Sequence, residues 1–87
     1  MVVVTVSDMR QIAPNAGIKV VVIRTDANAA TGYTIDASTA ANGGFADVYA
    51  TYCCDDLGAV KVATFSALAI TLGTISTGIH TVIIWGV

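Results

Sequence analysis

Ile18-Lys19-Val20-Val21-Val22-Ile23-Arg24-Thr25 is the stretch on which the fold turns. Val20 to Ile23 are all branched at Cβ, which restricts χ1 in a helix and packs well on a pleated surface. Neighbouring side chains of a strand point to opposite faces. Val20 and Val22 therefore share one side and Val21 and Ile23 the other, and both sides are apolar. Such a strand is either central in a sandwich or covered by a neighbouring subunit.

Towards the N-terminus, Val2 to Ser7 sets Val2, Val4 and Val6 against Val3, Thr5 and Ser7, the period of a half-buried strand. Asp8 to Ala16 holds the only proline, Pro14, and closes on Gly17, which reads as a loop. Residues 1–16 are thus an N-terminal strand and loop that can serve as an assembly arm.

Towards the C-terminus, Asp26 to Gly32 is small and polar, a turn, and Tyr33 to Asp36 alternates as a strand. Ala37 to Gly44 ends in Asn42-Gly43-Gly44, a strong turn signal with room for one helical turn at Thr39–Ala41. Phe45 to Cys53 reads as a longer strand, with Phe45, Asp47, Tyr49, Thr51 and Cys53 opposite Ala46, Val48, Ala50 and Tyr52. The short link Cys54–Gly58 predicts a hairpin with Ala59–Phe65. Ser66–Leu68 turns the chain into Ala69–Leu72, and Gly73–Gly78 turns it into the last strand, Ile79–Trp85, with Ile79, Thr81, Ile83 and Trp85 on one face. No segment sustains a 3.6-residue period. The expectation is one all-β domain over residues 1–87, a small antiparallel β-sandwich or barrel of about seven short strands.

Charge is scarce. Lys and Arg number 4 and Asp and Glu 6, none of them Glu, in a chain that is 55% hydrophobic. A free-standing domain of this size normally carries more charge. Ala accounts for 14 of the apolar residues, but the large aliphatic and aromatic residues still exceed what one small core absorbs. Part of the outer surface is therefore expected to be buried against other subunits, with Val2, Val4, Val6, Val21, Val22, Ile83 and Trp85 as the candidate interface and a homo-oligomer, first of all a trimer, as the form. The basic residues Arg10, Lys19, Arg24 and Lys61 are scattered singly, so nucleic acid has no electrostatic footprint. Val62 to Val87 is long enough to span a bilayer, but it contains five Thr, two Ser and three Gly and splits at Gly73–Gly78. Two strands fit it better than a membrane helix.

Residues with chemistry are few. Cys53 and Cys54 are adjacent, so in a strand they face opposite ways, and two free thiols with one buried are expected. The single histidine, His80, lies in an apolar strand and reads as structural. A Cys–His dyad from Cys53 or Cys54 has no nucleophile motif around it. Asp26-Ala27-Asn28 matches only the opening of a calcium loop, because Ala30 holds the next ligand position. Asp55-Asp56 reads as a solvated turn, with ion binding at an interface as the lesser alternative. Tyr33, Tyr49, Tyr52 and Trp85 read as core and interface anchors. No catalytic residue, cofactor site or metal site is assigned, and an enzyme is the poorest fit.

Three stretches in order carry a resemblance: Gly32-Tyr33-Thr34-Ile35-Asp36, Phe45-Ala46-Asp47-Val48-Tyr49-Ala50, and the ending Gly78-Ile79-His80-Thr81-Val82-Ile83-Ile84-Trp85-Gly86-Val87. Together with the acidic hairpin turn between the last two, this resembles small structural virion proteins of tailed bacteriophages, over residues 17 to 87. Tyr33 stands where those proteins more often carry Asp. The family holds head decoration (cement) proteins and head or tail accessory proteins. The resemblance implies a non-enzymatic role on the phage head surface, with the major capsid protein or another virion protein as partner, after synthesis in the bacterial host cytoplasm. The alternatives are a carbohydrate- or receptor-binding module of adhesin type and a self-polymerising filament subunit.

Overall fold

The β-branched run forms strand β2 (Ile18–Thr25), and it is flanked on both sides, by β1 (Val6–Asn15) and by β8 (His80–Gly86). The computed structural model describes residues 2–15 and 17–87, and for residues 13–15 only the backbone. The remaining strands are β3 (Thr34–Asp36), β4 (Val48–Asp55), β5 (Val60–Lys61), β6 (Ala63–Ser66) and β7 (Ala69–Leu72), with a single 3₁₀ turn at Ala40–Asn42. Every strand pair is antiparallel. They form a five-stranded sheet, β1-β2-β8-β4-β5, and a three-stranded sheet, β3-β7-β6. Both sheets are open among the described residues, so the all-β expectation holds as a two-sheet sandwich.

The core lies between the sheets. Val21 and Ile23 from β2, Val82 and Ile84 from β8 and Cys53 from β4 meet Ile35, Ile70 and Leu72 from the smaller sheet. Burying each such Ile or Leu is worth about 1.5–3 kcal/mol relative to leaving it in water. Phe45, Ala29, Ala37 and Val4 close the margins.

Several boundaries differ from the sequence reading, each for a physical reason. The first regular strand begins at Val6 and runs through Asp8–Asn15, where a loop was expected; Ala16 lies outside the described residues. An edge strand tolerates what a central one rejects. Pro14, which has no N–H, falls in a register irregularity between Ile12 and Asn15, and a second one falls between Val6 and Asp8. There Ser7 is the extra residue, and its hydroxyl donates towards the carbonyls of Arg24 (3.0 Å) and Thr25 (3.1 Å).

The segment before β1 is used within the chain. Val4 N donates to Thr34 O (2.8 Å) and Thr34 N to Val2 O (2.9 Å), a parallel bridge at Val3 and Thr34.

β4 starts at Val48 and carries a bulge between Val48 and Ala50, so Val48 and Cys53 are both buried although strict alternation put them on opposite faces. The stretch Ala59–Phe65 is divided at Val62, where the chain leaves one sheet (Cys54 opposite Val60) and joins the other (Ala63 opposite Leu72).

Two glycines are dictated by close approach. Gly43 has φ 107°, and a Cβ there would lie 2.7 Å from Val21 Cγ2 and 2.8 Å from Phe45 Cε2. A Cβ on Gly86 would collide with the carbonyl oxygen of Asp47 and lie 3.0 Å from the Phe45 ring. That crowding comes from Val87, whose N donates to Asp47 O (3.0 Å) and whose O accepts from Ala46 N (2.7 Å).

Candidate functional site

The two sheets turn unlike faces to the outside. On the smaller one, Thr64 and Thr71 line up across the strands beside Ser66, Ala69 and Asp36, with Thr34 of the same row buried, so the surface is small and hydroxylated. The larger one is apolar. Its register places Ile12, Val20, Trp85 and Ala50 in one row and Arg10, Val22, Ile83 and Tyr52 in the next. A third row runs Asp8, Arg24, Thr81, Cys54 and Val60. Ile12 (54%), Tyr52 (38%) and Val60 (68%) are exposed, while Val20, Val22, Ile83 and Trp85 are half-buried by their in-sheet neighbours alone. The cause is local: Val20 and Val22 of β2 and Ile83 and Trp85 of β8 are apolar, as are Val21, Ile23, Val82 and Ile84 on the core-facing side.

The charges on this face lie along one side and cancel. Arg10 pairs with Asp8 at 3.2 Å, and Arg24 with Asp56 at 2.7 Å. These exposed pairs contribute little to stability, but they leave the face with two acids and two bases and an uncharged centre.

At the β5 margin the turn Asp55–Gly58 presents Leu57, which is 94% exposed. Asp55 holds that turn: its Oδ1 accepts from Ala59 N (2.8 Å) and Leu57 N (2.9 Å), and Lys61 Nζ lies 3.8 Å from Oδ2. The hydrogen bond from Ala59 N, against the opposing effect of burial, and then that from Leu57 N with the charge of Lys61, hold the Asp55 carboxyl below its usual range. Asp36 is held down in the same way by the hydroxyl and N–H of Ser38. Asp55 and Asp56 therefore spend their charge inside the molecule, on the turn backbone and on Arg24.

Residues with chemistry collect at one end of the sandwich. Cys53 is buried opposite Val82 and Lys61, and His80 is buried opposite Asp55. Burial, then the neighbouring Cys54 and Asp55, push the Cys53 thiol up to about 11, with Lys61 opposing, so it is a neutral thiol near pH 7. A nucleophilic cysteine needs the opposite shift. Cys54 points to the outer face, and both thiols are free.

His80 Nδ1 lies 2.9 Å from Gly78 O. A carbonyl only accepts, so Nδ1 donates to it, and Nε2 is buried with no hydrogen-bond partner among the described residues. The expected structural His80 is thus only half satisfied. Its backbone N donates to the Thr25 hydroxyl at 2.9 Å. No group of three metal-ligating side chains converges among the described residues.

The sequence-derived interface set divides. Val22, Ile83 and Trp85 lie together on the outer face. Val21 is fully buried and Val4 is 6% exposed, so both leave the interface for the core, and Val6 packs against that core as well. Val2 keeps an exposed side chain, and its carbonyl accepts from Thr34 N, so one edge of this segment is held within the chain. Of the four aromatics, Tyr52 and Trp85 belong to the outer face, Tyr33 packs on the core, and Tyr49 is exposed at the bulge of β4. Ile12, Val60 and Leu57 were missed; the alternation Asp8, Arg10, Ile12 was the available signal for the first. No protein-family model, curated protein or solved structure matches the chain.

Proposed function

We propose that this chain is a non-enzymatic structural subunit that docks onto other protein subunits through the outer face of its five-stranded sheet. The observation that carries the reading is that face: Val20, Val22, Ile83, Trp85 and Tyr52 make a continuous apolar area with no charge at its centre. Such a patch marks an interaction site, and Trp and Tyr are the residues that most often anchor one.

The resemblance in the stretches 32–36, 45–50 and 78–87 narrows the assembly to the head of a tailed bacteriophage, with the chain as a decoration protein and the major capsid protein as its partner. A decoration protein stabilises a shell by mass action, because it binds the assembled surface and not the free shell subunit. Directional chemistry is not needed for that; a flat apolar face and a rigid scaffold are.

The test is co-sedimentation. The chain is co-expressed with a tailed-phage major capsid protein, and particles are separated on a density gradient. Co-migration of the wild type, lost in an Ile83→Lys variant that keeps its β-type circular dichroism, is the expected result. A wild-type chain that stays at the top of the gradient overturns the decoration reading.

A further inference from the structure

We propose that the outer face of the five-stranded sheet is covered by the same face of a second copy of this chain, the two related by a two-fold axis. This rests on the reading of that face as a docking surface and names a second copy, and not the shell protein, as what covers it. The pair then meets the shell through its remaining surface, and Ile83→Lys releases the chain from particles by splitting the pair.

Three observations point to a second copy. The first is charge. In a two-fold interface a patch meets itself, so any net charge on it repels its own image. Here the charges on the face are paired internally, Arg10 with Asp8 and Arg24 with Asp56, and the centre around Ile83 carries none. A patch of this kind meets itself without repulsion.

The second is the chemistry of the molecule's other outer face. Thr64, Thr71, Ser66 and Asp36 would lose water against Val22, Ile83 and Trp85 with nothing to hydrogen-bond. Stacking front to back, which would generate an open filament, is therefore disfavoured, and of the two outer sheet faces the apolar one is complemented by itself and not by the other. Closed two-fold pairing follows, in place of the trimer expected from sequence.

The third is size. Four strands spaced about 4.8 Å apart, and about seven residues along β8 at about 3.3 Å each, give about 19 by 23 Å in projection, to which the two-residue β5 adds one corner. Side-chain relief makes the accessible area larger than its projection. That is on the order of the ~800 Å² per partner that a stable interface needs. Two such sheets pack face to face at about 10 Å with strands aligned to within about 30°.

Cys54 supplies an internal reporter. It lies on this face between Thr81 and Val60, whereas Cys53 is buried with its thiol pushed up to about 11. A maleimide therefore reads Cys54 alone.

The experiment is sedimentation equilibrium of the full chain over roughly 1–100 µM, the weak end of what interfaces of this size reach, with Cys54 alkylation followed in parallel. A dimer is expected, with Cys54 protected. Ile83→Lys should weaken it by at least ~30-fold, the loss expected for a central interface residue, and should restore alkylation. Thr64→Lys, on the other outer face, should leave the dimer intact. If Ile83→Lys does not fold, Tyr52→Lys takes its place, since that side chain already reaches solvent.

A trimer, a dimer that survives both lysine variants, or a monomer at the highest concentration each overturns the proposal. In the monomer case, Cys54 alkylation of the shell-bound chain separates the two readings: protection there keeps the face as a docking surface for a different partner, and full reactivity removes that as well.

Discussion

Lys19 Nζ donates to the carbonyl of Gly43 at 2.8 Å, tying β2 to the turn that follows the 3₁₀ segment. The same ammonium reaches Gly44 O at 3.2 Å and lies 5.1 Å from the centroid of the Phe45 ring. Two carbonyls at a tight glycine turn and a ring face thus share one cation. A hydrogen bond from a charged donor is worth about 1.5–3 kcal/mol when buried, and the partial exposure here reduces that. Lys19→Met keeps the stem and removes the cation, and should cost about 1 kcal/mol. Thermal melting reads it as a fall of about 4–8 °C. An unchanged melting temperature would mean that the turn holds itself.

Gly86 makes the harshest steric demand in the fold, since its Cα faces the Asp47 carbonyl oxygen across the last pairing of the chain. A methyl group there cannot be absorbed by rotating a side chain, because the obstacle is backbone. Gly86→Ala should cost about 3 kcal/mol, the upper range of overpacking. Denaturant titration would show a lower midpoint at an unchanged slope.

Ala67 gives a substitution of the opposite sign. It holds φ 52° in the two-residue turn between Ser66 and Ala69, a conformation that is costly for a residue with a Cβ. Ala67→Gly relieves that strain at an exposed site and should stabilise the protein by up to about 1 kcal/mol. A drop in melting temperature would show that the unfolded-state entropy of glycine outweighs the relief.

The depressed carboxyls set the acid limit. Asp36 and Asp55 are held below their usual range by hydrogen bonds that the folded chain supplies. A carboxyl lowered on folding contributes stability that is fully present above its unfolded value, about 3.9, and is lost as pH falls through the folded one. Melting temperature should therefore hold from neutrality to about pH 4 and fall below it. Asp55→Asn removes one titrating group and should shallow that fall. Superimposable acid limbs for the variant and the wild type would assign the loss to other groups.

What was legible in the sequence was the part governed by one face at a time. β2 and β8 were readable because β-branched residues dominate them, and parity put Ile83 with Trp85 on one side of β8 and Val20 with Val22 on one side of β2. β1 was not readable as a strand. As an edge it needs only Met9 and Val6 against the core, so Asp8, Arg10 and Pro14 are tolerated and its two register shifts break the period. The bulge at Tyr49 hid the burial of Val48 for the same reason. Residues 59–65 look like one strand because alternation continues through Val62, while the change of sheet is a tertiary fact. The docking face was half visible: neighbours along one strand could be paired from parity, but the rows joining Ile12 to Trp85 and Tyr52 to Ile83 depend on register between distant strands.

Val21 and Val22 separate folding from docking within two adjacent residues. Val21 is fully buried opposite Ile84, where its Cγ2 lies against the Gly43 backbone; Val22 lies opposite Ile83 and Arg10 on the outer face. A lysine at 21 must bury an ammonium without a partner, a cost of several kcal/mol. That is comparable with the whole stability expected of a chain this size, about 4–13 kcal/mol. Val21→Lys should therefore give an unfolded or molten chain by near-ultraviolet circular dichroism. At 22 the ammonium reaches solvent along the stem, so the fold should survive with a change within about 1 kcal/mol. Association should nonetheless be abolished, because the charge would enter the dry centre of any interface built on this face. Two variants that both fold, or a Val22→Lys chain that still associates, would move the docking surface elsewhere on the molecule, with the Leu57 margin the next place to look.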